Sequence, residues 1–274
     1  MKLKIYQADA FTEKLFGGNP AAVIPLEKWL PDAVMQQIAA ENNLAETAFY
    51  VPKGNDFHLR WFTPAVEVDL CGHATLATAH VMYDQLSYAK PEINFHSQRG
   101  ILSVRKNGDL LTMNFPNDEP VKMEAPKEIA DSITVVPTEV LRGKNMLLVV
   151  LNSQTELEKI NPKIDLIAKV HPHGVIFTAK GNEVDFVSRC FFPNSGIDED
   201  PVTGSAHTIL TPYWAVRLGK TKMKAQQLSK RVGNLSVELK GDRVEISGKA
   251  VTYLVGEIMV PVEVGNPERD VLSV

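Results

Sequence analysis

The chain repeats itself. Residues 53–64 read KGNDFHLRWFTP and residues 180–193 read KGNEVDFVSRCFFP. Each has Lys-Gly-Asn, an extended run, and then Arg-x-Phe-x-Pro: Arg60, Phe62 and Pro64 against Arg189, Phe191 and Pro193. Further on, CGHA (71–74) is answered by TGSA (203–206), and SQRGILSVRKNGD (97–109) by SKRVGNLSVELKGD (229–242), with short insertions between the shared letters. KGN and KNGD are ordinary turn sequences, so any one block resembles strand-and-turn chemistry in general. The same order across all the blocks argues for duplication, and a duplicated chain folds as two related halves.

The local pattern fits that plan. Runs rich in β-branched and aromatic residues between turn signals predict strands at ETAFYV, DFHLRWF, EINFHS, ILSVRK and LLTMNFP in the first half. The second half offers NMLLVVL, GVIFTA, EVDFVSRCFF, NLSVELK, RVEISG and YLVGEIMVP. One helix is expected in the middle of each, over Gly72–Gln85 and Gly204–Leu218. Another is expected over roughly Pro31–Asn42, where Pro31 at the start costs no hydrogen bond. The polar, Pro-containing segment NDEPVKMEAPKE (117–128) marks the boundary, giving domains 1–117 and 118–274. The expected class is α+β, with two related halves facing each other across a cleft.

Composition removes several functions. At net charge −4 with acids and bases interspersed, no basic patch offers itself to nucleic acid. No run reaches the roughly 18–20 apolar residues of a membrane helix, and Asp9, Glu13 and Lys14 interrupt what a signal peptide would keep apolar. Two cysteines in 274 residues fit a reducing compartment better than a disulfide framework, so the cytoplasm is the expected location.

The stretch CGHATLATAH (71–80) holds one cysteine and two histidines. In a helix, His73 and His80 would share a face about 10 Å apart along the axis. Metal–nitrogen bonds are roughly 2 Å long, so one ion cannot take both. No other Cys or carboxylate stands nearby at a ligand spacing, and no metal is expected; His80 reads as a core or interface residue. The helix after Gly72 is small or apolar on nearly every side, as in a helix wrapped by other structure. Gly72 and Gly204 each lead into a helix, where N–H groups lack partners and the dipole is positive. If the halves face each other, these two helix starts make an anion site. Taken singly, the glycines permit turns and Ser205 caps a helix; as a matched pair they favour a ligand site.

Two places offer acid/base chemistry. Glu46, in NNLAETAFYV, follows a helix and opens a strand among apolar neighbours. A carboxyl so placed is harder to ionise and moves toward the working range of a proton-transfer catalyst; the plainer reading is an exposed carboxylate at a strand start. DEDPVTGSAH (198–207) sets Asp198, Glu199 and Asp200 before the second glycine. One acid suffices for a helix dipole, so another is expected to face the cleft.

Together GGNPAAV (17–23), NLAETAF (43–49), RWFTP with LCGHATLA (60–77), and DEDPVTGSAH (198–207) resemble the PhzF family of phenazine biosynthesis. That family shares its duplicated architecture with diaminopimelate epimerase. The resemblance implies two pseudo-symmetric domains, each a curved, mostly antiparallel sheet around a central helix, with the active site between them. It implies a cofactor- and metal-independent isomerase that moves a proton on a small anionic, carboxylate-bearing molecule, and a homodimer. Glu46 takes the family's catalytic position, and His73, Asp200 and Ser205 its cleft positions; Gly72, Thr203 and Gly204, at the two helix starts, join them as substrate-binding candidates. Asn19 and Cys71 are possible site residues. The epimerase works with two facing cysteines. Cys71 occupies the first such position, but Thr203 occupies the second, and Cys190 falls opposite Trp61 in the repeat. That departure argues against a two-thiol mechanism. The alternatives are a Cys71-dependent amino-acid epimerase and a small-molecule binding protein without turnover.

Overall fold

The structure, a computed structural model, describes residues 1–171 and 173–261. The first half runs β1 (Lys2–Ala10), β2 (Asn19–Pro25), α1 (Asp32–Asn42), β3 (Glu46–Lys53), β4 (Asp56–Phe62), β5 (Glu67–Val68), α2 (Gly72–Asp84), β6 (Glu92–Ser97), β7 (Gly100–Asn107) and β8 (Leu110–Pro116), and β9 (Val121–Met123) lies in the connection that follows. The second runs α3 (Lys127–Ser132), β10 (Glu139–Arg142), β11 (Leu147–Val150), α4 (Gln154–Lys159), α5 (Ile164–Val170), β12 (Val175–Lys180), β13 (Phe186–Phe192), β14 (Ile197–Asp200), α6 (His207–Leu218), β15 (Lys222–Gln227), β16 (Gly233–Lys240), β17 (Arg243–Gly248) and β18 (Ala250–Met259).

Strand pairing repeats element by element. β1–β2 is antiparallel, β2–β3 parallel, β3–β4 antiparallel, β4–β6 parallel, and β6–β7–β8 antiparallel. The second half copies this as β10–β11, β11–β12, β12–β13, β13–β15 and β15–β16–β17. The two sheets join where β8 pairs antiparallel with β17. β9, in the connection between the halves, pairs with β10 at the edge of the second sheet, and β18 crosses to pair with β1 over nearly its whole length. Residues 250–259, late in sequence, are therefore hydrogen-bonded into the first sheet.

Each sheet wraps a helix. Ten of the thirteen residues of α2 are buried, as its small and apolar composition requires. Its side chains and those of α6 share one core with the inner sheet faces, including Trp61, Leu76, Phe95, Phe186 and Ile209. β3 is buried on both faces: Ala48 and Tyr50 join that core, while Phe49 and Val51 pack outward against Met35 and Ala39 of α1. A third cluster covers the outside of the second sheet with α3, α4 and α5.

Two departures from the sequence reading concern helices. α3, α4 and α5 are six or seven residues long, too short to show a periodic signature. The central helix of the second half begins at His207, not Gly204. The Thr203 carbonyl, which an α-helix would give to the His207 N–H, faces His207 Nδ1 at 2.9 Å instead, and the His207 N–H turns to the Gly204 carbonyl at 3.0 Å. This side-chain competition keeps residues 204–206 in a turn. Within α6, Pro212 has no N–H for the Thr208 carbonyl, and Asp118 N–H from the inter-half connection fills that place at 3.0 Å.

Candidate functional site

The first half brings Glu46 and the Cys71–His73 corner together. α1 ends at Asn43 in the left-handed conformation, with φ of 48° and its N–H bonded to the Ala39 carbonyl. This turns the chain into β3, whose first residue is Glu46. Glu46 sits beside Ala21 in the parallel register and is 9% exposed. Cys71 is extended and carries no side-chain cap bond to α2, so the N–H groups of Gly72 and His73 meet no carbonyl within the helix. His73 Nε2 lies 3.1 Å from Glu46 Oε2, though off the line of a hydrogen bond.

The second half supplies an acid and a hydroxyl. Of the three acids, Asp198 is exposed, Glu199 pairs with Arg189, and only Asp200 is buried at the site. Thr203 Oγ1 donates to Asp200 Oδ2. Gln227, fully buried at the end of β15, accepts from Thr203 N–H at 2.8 Å and donates to the Asp200 carbonyl at 2.8 Å. Ser205 stands in the turn before α6 and is not its cap; that position falls to Ala206, which makes no side-chain cap bond.

The halves meet at the two glycines. A Cβ built on Gly72 would lie 3.5 Å from the Gly204 Cα, and one on Gly204 equally close to the Gly72 Cα. Asn19 ties the halves beneath this contact. Its Nδ2 donates to Asp200 Oδ1 at 2.8 Å and to the Val202 carbonyl at 3.0 Å, and lies 3.1 Å from His73 Nδ1. Above lies a cavity of about 200 Å³, lined from both halves by Glu46, Cys71, His73, Asp200, Thr203 and Ser205. Phe192, Leu70 and Ile197 add apolar walls.

The nine residues singled out in the sequence are thus brought together: eight line the cavity, and Asn19 is buried below them. Sequence reasoning did not find Gln227 or the wall residues. Gln227 is identified only by its long-range bonds to residues 200 and 203. His80 does lie between elements, with Nε2 2.9 Å from Thr252 Oγ1 of β18.

Titration follows from these neighbours. Burial works against a charged His73, but Cys71 and Glu46 beside it outweigh burial and raise it well above 6.5. Burial raises the Cys71 thiol, and the Glu46 charge raises it further. A thiol held neutral cannot stabilise an imidazolium by charge, so we assign that role to Glu46. The two Asn19 Nδ2 hydrogens go to Asp200 and Val202, which leaves the Cys71 thiol, 3.6 Å away, to offer a proton to His73 Nδ1. In the neutral ring this leaves the proton on Nε2, toward Glu46, and the imidazolium carries one there too. Burial raises Asp200 as well, opposed by His73, Thr203 and Asn19.

Spacing could not show that Glu46, Cys71 and His73 bring donor atoms within 4.8 Å of one another. The two ring nitrogens face different partners, Nδ1 toward Cys71 and Nε2 toward Glu46.

The repeat leaves the site chemically one-sided. Phe49 pairs with Arg60 and Phe177 with Arg189, so three residues earlier Glu46 corresponds to Gly174. Cys71 corresponds to Thr203 and His73 to Ser205. A carboxylate with a histidine beside it, a second acid from the other half and two backbone corners suit proton transfer on an anion bound between the halves.

The sequence model of the phenazine biosynthesis-like protein family matches residues 8–256. The chain belongs to that family. An uncharacterized isomerase of Pseudomonas aeruginosa is 49% identical, with 94% of this chain and 99% of the relative covered. The mouse phenazine biosynthesis-like domain-containing protein 2 is 40% identical over 94% of this chain and 99% of its own. A PhzF-family crystal structure from Enterococcus faecalis matches with a TM-score of 0.93 and 46% identity, covering 95% of this chain and all of that one. A hydroxyproline epimerase from Agrobacterium vitis shares the fold at 8% identity and a TM-score of 0.61. The architecture is accordingly the duplicated, epimerase-like α+β fold of the PhzF family. Among the described residues no helix is long and apolar enough to cross a membrane.

Proposed function

We propose that this chain, an isomerase of the phenazine biosynthesis-like family, moves a proton between two atoms of one small carboxylate-bearing molecule, with Glu46 as acid and base. The observation that carries the reading is the buried Glu46 carboxylate against His73 Nε2, at the edge of a cavity lined from both halves. The substrate anion lies across the Gly72–His73 and Gly204–Ser205 corners. Backbone N–H groups there, with His73 and Ser205, hold the charge that develops as the proton leaves carbon, and Asp200, accepting from Asn19 and Thr203, keeps that side of the cavity in place. Glu46 then returns the proton elsewhere on the same molecule. The reaction asks for no cofactor or metal. The lobes are 1–117 and 118–274, the second lending residues 250–259 to the first, and the protein works as a cytoplasmic homodimer.

The test is a panel of small carboxylates and amino acids incubated with the protein in deuterated buffer and read by mass. Wild type incorporates deuterium into at least one compound, and Glu46→Gln loses about 10²–10⁴-fold of that rate. Retained exchange in Glu46→Gln would remove the assignment. A Cys71-based epimerase is the second reading, supported by the 3.6 Å contact between its sulfur and His73 Nδ1. The upward-shifted thiol and Thr203 in the opposing position weigh against it. Cys71→Ser separates the two: it keeps exchange in the glutamate mechanism and abolishes it in the thiol one.

A further inference from the structure

β18 offers an open edge. Its only strand partner among the described residues is β1, so its far side presents ten residues of backbone without a neighbouring strand. Sheet edges of soluble proteins are guarded by lysine, proline or shortness. This one carries Tyr253, Leu254, Val255 and Met259, exposed by 48, 40, 56 and 75%. The register shifts between Gln7 and Ala8, leaving Tyr253 without a partner on β1, and Phe16 (68% exposed) stands edge-on to the Tyr253 ring at 5.8 Å. The one charge, Glu257, is engaged from β1 by Lys2 and Lys4. With Phe16, the exposed surface of Tyr253, Leu254, Val255 and Met259 is on the order of 600 Å², a large part of the roughly 800 Å² each partner gives to a stable interface.

We infer that this edge is where a second copy of the chain docks, β18 against β18 in antiparallel pairing about a two-fold axis. The inference rests on the homodimer reading above and names its surface. A strand that pairs with itself must carry its own complement. A register centred on Gly256 sets Tyr253 opposite Met259 and Leu254 opposite Ile258 across the axis, and keeps the two copies of Glu257 off one another. Gly256 tolerates a side chain, since a Cβ there meets only Leu254 Cδ2 at 3.5 Å and Ile5 Cγ2 at 3.8 Å.

The test is sedimentation equilibrium of the full chain beside Val255→Lys, Tyr253→Glu and Gly256→Cys, with circular dichroism to verify that each variant folds. Wild type should sediment as a dimer, and either charged variant should weaken the dimer at least about thirtyfold. Gly256→Cys should form an intermolecular disulfide on mild oxidation, which Val216→Cys, exposed on α6, should not. A dimer that survives both charged variants and gives no cross-link at Gly256 overturns the surface and leaves the homodimer standing. A monomeric wild type overturns both and leaves the edge to a different protein.

Discussion

His207 shows how one buried ring shapes the site from outside it. It is fully buried, and burial lowers it to about 4 against the opposing bond to the Thr203 carbonyl. The unfolded chain takes up a proton on this ring as pH falls below 6.5, while the native chain holds it neutral down to about 4. The stability from the neutral ring is therefore fully present above pH 6.5 and lost as pH falls through that window. The loss amounts to about 3 kcal/mol. Urea unfolding at pH 7 and pH 4.5 measures it. His207→Asn keeps a donor for the Thr203 carbonyl but no titration, so its stability should fall less steeply between those values. An unchanged slope would assign the acid sensitivity elsewhere.

At the scale of elements, a matched pair of clamps holds the two corners. Arg60 grips Glu67 through Nε and a terminal nitrogen at 2.7 and 2.6 Å, and Arg189 grips Glu199 at 2.7 and 2.9 Å. Each guanidinium also lies over the phenylalanine two residues on, Phe62 or Phe191. Both glutamates stand four residues before a site position, Cys71 or Thr203. Arg189 additionally donates to the Leu157 and Ile160 carbonyls at the end of α4. Removing it strands a half-buried carboxylate and those carbonyls, so Arg189→Ala should cost about 2–4 kcal/mol. Arg60→Ala, without the carbonyl ties, should cost less; the urea midpoints decide it. These arginines were legible as a repeated Arg-x-Phe-x-Pro, and β4, β6, β8 and β17 as aromatic and β-branched runs closed by turns. β1, β2 and β15 were not, because lysines, alanines and glutamines fill them and only pairing makes them strands. Glu46 and Asp200 carried local motifs. The Asn19–Asp200 bond and the role of Gln227 arise between residues 181 and 24 to 27 apart, beyond any spacing rule.

At the scale of the molecule, neither half closes its own sheet. β1 depends on β18, and β8 on β17. The inner faces share one core. Thermal unfolding should therefore be a single transition, with near- and far-ultraviolet circular dichroism coinciding. A fragment ending at residue 117 should stay unfolded by its amide proton spectrum; a dispersed spectrum would make the first half autonomous. The pairing of Lys2 with Met259, and of the Met1 amine with the Val260 carbonyl, has a topological outcome. From Met1 to Val260 the backbone describes a closed circuit. A gene rejoined across Met1 and Val260 and reopened after β9, between Glu124 and Ala125, the mirror position of that seam, would keep every described strand beside its present neighbour.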